Sequence, residues 1–333
     1  MQTGYRTGLS TDDANHMLLR AMELALRWQD LSLYMFFLDW QKCYDRIHHE
    51  RLLDAVRRMG VPPQYLKVLR AVYSRLRFYV WDQWGTSSEK FQDEGMRQGD
   101  PLSCFLLVLL MTVIMLDTRA EYVRICDSKG LGAVRRKSAE IFGFEDVEFA
   151  DDSNFIQSSL PCMRVLVKCY VLEGRIYGLE ANHDKSLCLA IRKAPGIAVR
   201  VKHPDGWFFK VEDTAKTLGF IYGKGFNSAA ALIQSRIGEM LGLMRQYKNV
   251  WASPIALKDK VQKMQALVWG KGRWGVHLVH LTKTLRRKLD GAQARILRRL
   301  AKIPAAYISR VSNATVRRRC YKATRFSTQT LRM

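Results

Sequence analysis

Residues 147–157 read "VEFADDSNFIQ", and the arrangement of this short stretch determines how the rest of the chain is interpreted. Apolar residues stand on both sides of the polar tetrapeptide "DDSN" at 151–154. Asp, Ser and Asn suit tight turns, so the pattern predicts a β-hairpin with "DDSN" at its tip. An ordinary turn would explain the two neighbouring aspartates, and a functional pair of carboxylates is the other interpretation.

A second stretch, "LSLYMFFL" at 31–38, is a continuous apolar run of strand length that ends at Asp39. Such a run is typical of a strand buried on both faces. If this strand neighbours the hairpin in a sheet, the strand ends bring Asp39 and Asp151 together. Carboxylates packed that closely repel each other, so the protein must protonate one of them or neutralise them with a cation.

Carboxylate oxygens of this kind select Mg²⁺, which binds through one or two carboxylates together with water and substrate phosphates. Two such ions about 3.5–4 Å apart can activate an attacking hydroxyl and stabilise a leaving oxygen. The acids therefore indicate nucleotidyl transfer or phosphodiester hydrolysis. A two-metal nuclease would explain the acids, but not the ordered motifs described below.

The remaining sequence predicts alternating helices, strands and loops. A helix capped by Ser10 or Thr11 is expected to run to Trp28, and two more are expected to end at Gly60 and near Leu76. Further helices are predicted at 104–116 and 161–177, and strands at 77–85 and 187–191. The segments 93–103 and 127–140 are predicted to be loops, the second one basic and on the surface.

The charge of the chain limits its possible partners. It carries 54 Lys and Arg against 31 Asp and Glu, a formal net charge of +23. This excess favours a polyanion, with nucleic acid first and an anionic membrane surface second. The longest apolar run, Cys104 to Leu116, is shorter than the roughly 20 residues of a membrane-spanning helix.

The N-terminal sequence has no apolar signal region, and Asp12 and Asp13 argue against a transit peptide. We therefore expect a protein of the cell interior, in the nucleus or cytoplasm, that is neither secreted nor membrane-bound. The seven cysteines form no CxxC pair, which indicates reduced and mostly buried thiols. His277 and His280 lie one helical turn apart without a neighbouring acid or cysteine, so we expect no metal there.

After about Phe226 the sequence predicts helices rich in basic residues. One of them places four basic side chains on one face, beside an apolar stripe of Ile296, Leu300 and Ile303. The basic residues are Arg295, Arg298, Arg299 and Lys302. Such a face is either simply solvated or a surface that contacts a polyanion. Repetition of the pattern in "RRK" (286–288) and "RRR" (317–319) favours the second interpretation.

Five motifs, in order along the chain, resemble the successive palm motifs of reverse transcriptases. They are "FFLDWQKCYDRI" (36–47), "GMRQGDPLS" (95–103), "FADD" (149–152), "GLEANHDKS" (178–186) and "LGFIYGKG" (218–225). The resemblance covers residues 2–225. It implies an α+β fold with a right-hand polymerase palm, an antiparallel sheet with packed helices, partial fingers and a helical thumb. The implied domains are a fingers remnant at 1–30, the palm at 31–225 and a basic thumb-like region at 226–333.

The resemblance also implies roles for individual residues. Asp39 and Asp151 would be the main ligands of two Mg²⁺ ions, and Asp152 would shape the field or touch a metal. Lys185 would protonate the leaving pyrophosphate, unless it is a solvated loop lysine. The nucleotide pocket would be formed by Tyr44 beneath the sugar, Arg97, Gln98 and Gly99. For Tyr44 the alternative is a core aromatic, and for Arg97 a surface role.

The implied function is an RNA-directed DNA polymerase that extends a DNA primer on an RNA template with dNTPs. The lysine three residues after the first aspartate, Lys42 after Asp39, favours the non-LTR retrotransposon pattern over the group II intron pattern. Because the chain starts within the fingers of that family, we expect a truncated form. The alternative function is a catalytically inactive relic, or a domesticated protein, that only binds nucleic acid.

Overall fold

The computed structural model describes residues 2–74, 76–191, 198–223 and 228–322. The chain divides into two compact units, the first formed by Met1–Leu218 with Tyr222–Gly225 and the second by Gly219–Ile221 with Phe226–Met333. The names fingers, palm and thumb for the predicted segments remain predictions.

In the described part of the chain, the strands are β1 (Leu33–Leu38), β2 (Arg77–Phe78), β3 (Trp81–Asp82), β4 (Gly85–Thr86), β5 (Lys90–Phe91), β6 (Asp146–Phe149), β7 (Asp152–Gln157), β8 (Leu187–Ile191), β9 (Lys210–Glu212), β10 (Thr214–Thr217) and β11 (Phe220–Gly223). The helices of the first unit are α1 (Thr11–Arg27), α2 (Cys43–Arg46), α3 (His49–Arg58), α4 (Pro63–Tyr73), α5 (Pro101–Ser128), α6 (Gly132–Phe142) and α7 (Leu160–Ile176). Those of the second unit are α8 (Ser228–Gln246), α9 (Lys248–Ala252), α10 (Leu257–Met264), α11 (Gly270–Arg273), α12 (Lys283–Leu300), α13 (Ala306–Ser309) and α14 (Asn313–Lys322).

A five-stranded sheet in the order β6-β7-β1-β8-β9 forms the centre of the first unit. All six residues of β1 are buried, as the apolar run predicted, because α1 and α7 both contact this central strand. β1 pairs antiparallel with β7 and with β8. The edge pair β8 and β9 is parallel, so the expectation of a purely antiparallel sheet was wrong at this edge.

The core of the first unit lies between this sheet and the helices α3, α5 and α7. Phe36 of β1 and Phe155 of β7 are fully buried there with Tyr170 of α7. The ring of Tyr170 packs edge-on against Phe155 and lies 5.2 Å from that of Trp40, between ring centroids. Aromatic rings in such offset or edge contacts stabilise a core beyond their area of burial. The pattern of helices on a mixed sheet confirms the predicted α+β class.

Helix α5 is longer than the predicted 104–116. It begins at Pro101, because Asp100 caps it by accepting a hydrogen bond from the Leu102 amide, and it continues to Ser128. Asp117 does not end it, since its side chain pairs with Arg58 at 2.5 Å outside the core. With 28 residues the helix is long and apolar enough to cross a membrane, although half of its most apolar window is buried inside the protein.

Two further local predictions were wrong. The segment 127–140 is not a loop, because α5 continues to Ser128 and α6 begins at Gly132 and buries Ser138 and Phe142. Arg136 and Lys137 of α6 are exposed, whereas Arg135 is half-buried with its guanidinium over the ring of Tyr122. The segment 77–85 is not one strand but two strands of two residues, β2 and β3, which pair with β5 and β4. Their short length follows from exposure, since no hydrophobic face of this segment is buried.

The seven cysteines are all free, and six of them are buried; Cys104, at the start of α5, is half-buried. This confirms the predicted reduced thiols. The predicted N-terminal helix is also confirmed, because Ser10 caps α1 and forms a reciprocal capping box with Asp13.

Over its described residues the second unit consists of helices and their connections, apart from the β11 residues Phe220 and Ile221. It has its own core, which includes Met240, Val261 and Leu297. The predicted basic face of α12 is only partly correct. Arg298 is 7% exposed, and its guanidinium donates hydrogen bonds to the Pro304 carbonyl at 2.8 Å and to Asn313 Oδ1 at 3.0 Å. It satisfies the backbone that follows the helix and does not face solvent.

Candidate active site

The pairing of β1 with β7 brings the predicted acids to the same edge of the sheet. Leu38 pairs with Ser153, so the next residues outward, Asp39 and Asp152, stand level with each other. The hairpin predicted at 147–157 is confirmed, but its tip is not "DDSN". Phe149 pairs with Asp152, which leaves Ala150 and Asp151 as the turn and puts Ser153 and Asn154 inside β7.

The N-terminal segment holds this turn. Ala150 has a left-handed backbone with φ of 56°, which is unfavourable for a residue with a Cβ atom. The Gln2 side chain accepts a hydrogen bond from the Ala150 amide at 3.0 Å and donates one to its carbonyl at 3.1 Å. Thr3 donates from its amide and its hydroxyl to the Glu148 carbonyl, each at 2.7 Å. The strained turn is thus fixed from outside the hairpin.

The acids of the site influence one another. Burial raises the pKa of Asp151, and the charge of Asp39 raises it further, while the charge of Lys185 lowers it. Burial, followed by the charges of Asp151 and Asp39, raises the pKa of Asp152 to about 6. The thiol of Cys43 lies among them, and burial together with the same charges raises its pKa well above its usual value. A cation at this edge would relieve the repulsion.

Asp39 is held by the loop that precedes β8. The Asn182 side chain donates a hydrogen bond to Asp39 Oδ2 at 2.9 Å, and the Asn182 amide donates to the Asp39 carbonyl at 2.8 Å. Ser186 Oγ accepts from the Asp39 amide at 3.1 Å and donates to its carbonyl. Lys185 Nζ lies 3.6 Å from Asp39 Oδ2, and its side chain is 69% exposed. The loop therefore orients the carboxylate and places one positive charge beside it.

Tyr44, half-buried on α2, is connected to the start of α5 and to the N-terminal segment. Its hydroxyl lies 3.3 Å from that of Tyr5 and 3.8 Å from Cys104 Sγ. Burial raises its pKa well above the usual range, so the phenol stays protonated. The Tyr44 carbonyl also accepts a hydrogen bond from the Met96 amide at 2.6 Å, which ties the motif 95–103 to α2.

The remaining predicted residues lie on the exposed loop that leads into α5. Gly95, with φ of 86°, begins this loop, and a Cβ atom there would stand 2.7 Å from the Asp45 carbonyl oxygen. Arg97 donates a hydrogen bond to the Arg77 carbonyl at 3.4 Å. Gln98 and Gly99 are exposed, and Gly99 has φ of 89°. Within the described ranges, no hydrogen bond or ion pair joins residues 97–99 to the three aspartates.

A buried polar network lies behind the hairpin. Ser153 Oγ donates to Glu148 Oε2 at 2.6 Å and lies 2.5 Å from the Tyr170 hydroxyl. Burial and the neighbouring charge of Asp146 raise the pKa of Glu148 to about 8. Asp146 itself pairs with Arg119. The network couples both strands of the hairpin to helix α7.

The donors at the site suit a magnesium ion, since carboxylate and carbonyl oxygens are its preferred protein ligands. In the part of the chain that the structure describes, no group of three or more His, Cys, Asp or Glu side chains is placed to hold a metal ion. Magnesium needs no larger cluster, because one or two carboxylates together with water and substrate phosphates complete its coordination. A separate cleft of about 370 Å³ between α3 and α4, lined by residues such as Glu50 and Arg57, contains none of the predicted site residues.

The sheet, the paired acids and the order of the motifs define a class of protein. The family model of reverse transcriptases (RNA-dependent DNA polymerases) matches residues 1–222 of the 333, and the chain belongs to this family. Within it, the chain is a distant homologue of Pol proteins from non-LTR retrotransposons.

Three relatives illustrate this homology. The chain is 30% identical to the R2 retrotransposon Pol polyprotein of Nasonia vitripennis over 148 residues, or 44% of this chain and 14% of that protein. For the R2DM polyprotein of Drosophila melanogaster the identity is 26% over 49% of this chain and 14% of that protein. For the R2 polyprotein of Popillia japonica it is 22% over 82% of this chain and 37% of that protein. The chain therefore spans well under half the length of these relatives.

Among solved structures, a telomerase from Candida albicans with a telomeric RNA fragment is similar, at a TM-score of 0.45 and 11% identity. That similarity covers 95% of this chain and 53% of the telomerase chain.

Sequence reasoning missed three residues of the site. Asn182 and Ser186 lie in the motif "GLEANHDKS", but only the lysine of that motif had been singled out. Tyr5 lies in the N-terminal segment and reaches Tyr44. The signal for Asn182 and Ser186 is their position, with Lys185, directly before the buried strand β8 in the spacing Asn-x-x-Lys-Ser.

Proposed function

We propose that the protein is an RNA-directed DNA polymerase of a non-LTR retrotransposon, which transfers a nucleotide from a dNTP to a primer 3′-hydroxyl. The observation that carries this proposal is the antiparallel pairing of β1 with β7, which sets Asp39 beside Asp151 and Asp152. Family membership supports the same reaction class. We propose that it acts inside the cell, in the nucleus or cytoplasm. We also propose that residues 1–30 are a remnant of the fingers, residues 31–225 the palm and residues 226–333 the thumb.

In this proposal Asp39 and Asp151 hold the metal, with Asp152 beside them. Two Mg²⁺ ions, when bound, lower the pKa of the attacking hydroxyl and neutralise charge on the leaving oxygen. Asn182 fixes Asp39 Oδ2, so this oxygen faces the site in one orientation. Lys185 holds a proton on Nζ, 3.6 Å from the same oxygen, and can deliver it to the departing pyrophosphate.

The nucleotide is positioned by the loop 95–103 and by α2. The half-buried ring of Tyr44 would lie in van der Waals contact with the sugar, which would leave no room for a 2′-hydroxyl. The contacts of its hydroxyl with Tyr5 and Cys104 would hold the ring in place. Gln98 and Gly99 would line the pocket, where the positive φ of Gly99 allows a close approach of the backbone. Arg97, anchored on the Arg77 carbonyl, would contact template or phosphate.

Primer extension on an RNA template with Mg²⁺ and dNTPs tests the proposal. The Asp151→Asn variant should lose at least about 100-fold in extension rate, because it removes a carboxylate that holds the metal. The matched control is Asp54→Asn, an exposed aspartate on α3 that pairs with Arg57, and it should extend like the original chain. Extension by Asp151→Asn at the original rate would contradict the assignment of Asp151 as a metal ligand.

A second candidate function is nucleic-acid binding without polymerisation. It is favoured by the formal net charge of +23, because a strongly basic chain binds a polyanion through its phosphates without any catalytic residue. Tight, salt-sensitive binding of nucleic acid together with no extension under any divalent ion would select this function. Extension that depends on Asp39 and Asp151 would exclude it.

A further inference from the structure

A cleft with arginine walls lies between two helices of the second unit. It has a volume of about 200 Å³ and is formed by α8 on one side and α12 on the other. The residues that line it are Leu241, Met244, Arg245, Arg295, Ile296 and Arg299. None of them belongs to the sheet edge that carries the aspartates. The predicted basic face consisted of Arg295, Arg298, Arg299 and Lys302, whereas the structure adds Arg245 from a second helix and removes the buried Arg298.

The three arginines of this cleft have no acidic partner in the part of the chain that the structure describes. Across the described residues, Arg245, Arg295 and Arg299 are exposed and form no ion pair. Two other arginines of the same unit do: Arg236 pairs with Glu239 at 2.9 Å, and Arg317 with Asp290 at 3.1 Å. Three uncompensated positive charges around one small cleft repel one another, so an anion that binds among them is stabilised. The fork of a guanidinium matches the oxygens of a phosphate.

The floor of the cleft is apolar. Met244 and Ile296 are each 2% exposed, and Leu241 covers the remaining part. A small inorganic ion would make no use of such a floor. A strand of unpaired nucleotides would contact the apolar floor, because its sugars and base faces are accessible beside each phosphate. A duplex presents mainly phosphates at its surface.

We propose that this cleft binds the backbone of a single nucleic-acid strand, with a phosphate between the arginines and the adjoining sugar or base on the apolar floor. The proposal rests on the proposed function only in taking nucleic acid as the partner. It adds a binding site on α8 and α12 that acts independently of Asp39 and Asp151.

Equilibrium binding of a fluorescent single-stranded oligonucleotide to the full chain, measured over a range of salt concentrations, tests the site. Each of Arg245→Gln, Arg295→Gln and Arg299→Gln should weaken binding several-fold and reduce the salt slope by roughly 0.7. Leu241→Ala should weaken binding without changing the slope, because it alters the floor and no charge. The matched control is Arg273→Gln, an exposed arginine of α11 that does not line the cleft.

Arg273→Gln should bind within about twofold of the original chain. If the three cleft variants behave like this control, the cleft is not a nucleic-acid site. Unlabelled tripolyphosphate and unlabelled oligonucleotide are then compared as competitors of the fluorescent oligonucleotide. If both compete equally well at equal phosphate concentration, the cleft is a site for free polyphosphate and the proposal is overturned. Circular dichroism checks that each variant is folded. The Asp151→Asn variant should bind the oligonucleotide like the original chain. A loss of polymerisation and a loss of binding at the cleft can therefore be told apart.

Discussion

Asn182 acts on the site through Asp39. It donates to Asp39 Oδ2 from its side chain and to the Asp39 carbonyl from its amide, so a single residue fixes both ends of the aspartate. Ser186 completes the arrangement by bonding the backbone of Asp39 on both sides. The carboxylate is therefore oriented before any substrate arrives, which lowers the cost of ordering it at the moment of reaction.

Asn182→Ala should lower divalent-ion affinity and extension rate by about 10- to 100-fold, which is the usual effect of removing a residue that orients a metal ligand. Binding of Mn²⁺, followed by its paramagnetic signal, reports the affinity without requiring polymerisation. Asn249→Ala on α9, an exposed asparagine, serves as the control. Equal Mn²⁺ affinity in both variants would contradict the positioning role.

Glu148 makes stability depend on pH. Its pKa lies at about 8 in the folded protein against 4.5 for the ordinary group, because it is buried beside Asp146. Between these two values the folded protein keeps a proton that the unfolded chain has released, so the free energy of unfolding falls as the pH rises. The fall should amount to a few kcal/mol over this window.

Glu148→Gln should remove most of this fall, since the amide stays neutral and can still accept from Ser153 Oγ. The measurement is the change in Tm between pH 5 and pH 8, not the Tm at one pH, because the new amide group also alters packing. Glu140→Gln, an exposed residue of α6, should leave the change in Tm as it is. An unaltered pH dependence in Glu148→Gln would show that this carboxyl is ionised when buried.

Some of these residue-level contacts could be predicted and some could not. The two aspartates, one at a strand end and one in a turn, were predictable. A carboxylate next to a buried strand is costly in free energy unless it is paired, hydrogen-bonded or bound to a metal. The contact between Asn182 and Asp39 spans 143 positions of the chain and depends on how a loop crosses the end of β1. No local pattern contains that information.

At the level of elements, the segment 2–4 and the β6-β7 hairpin behave as one structure. Gly4 packs directly on the turn, because a Cβ atom added to it would collide with the Ala150 amide nitrogen. The same turn forms two hydrogen bonds with the Gln2 side chain, which donates to the Ala150 carbonyl and accepts from the Ala150 amide. The position of Asp151 thus depends on residues almost 150 positions away in the sequence.

Gly4→Ala should destabilise the protein by about 1–3 kcal/mol, because backbone atoms of the turn must move to make room. It should also reduce primer extension, since the turn carries Asp151. The matched substitution is Gly238→Ala in α8, where a Cβ atom meets nothing within 4 Å and helix propensity favours alanine by about 0.5–1 kcal/mol. Thermal melts should move in opposite directions for the two variants. A Gly4→Ala protein as stable as the original would show that segment 2–4 does not hold the turn.

The helices show where sequence patterns mislead. The end of α5 was predicted at Asp117 because a charge follows the apolar run, yet the helix continues, since Arg58 neutralises that charge at the edge of the core. The basic segment that became α6 has too few buried positions to show helical periodicity. The hairpin was recognised from its composition, but its tip moved because Ala150, not a typical turn residue, is held in a left-handed conformation.

At the level of the whole molecule, the net charge of +23 should dominate binding to nucleic acid. If six to ten phosphates are contacted, affinity for an RNA template should fall by about 10³- to 10⁵-fold between 50 and 200 mM salt, because binding releases condensed counterions. A titration of labelled RNA over this salt range measures the slope. Affinity that stays constant over this salt range would show that the net charge does not drive binding, whether the protein polymerises or only binds nucleic acid.

The burial of the cysteines also makes the protein convenient for spectroscopy. Six thiols are inaccessible inside the protein, and only Cys104 is partly exposed, with its sulfur 3.8 Å from the Tyr44 hydroxyl. A thiol-reactive fluorophore should therefore attach at one position of the native chain without removal of any other cysteine. Because that position adjoins the proposed sugar pocket, the dye would report the arrival of a nucleotide in real time, even in a variant that performs no chemistry.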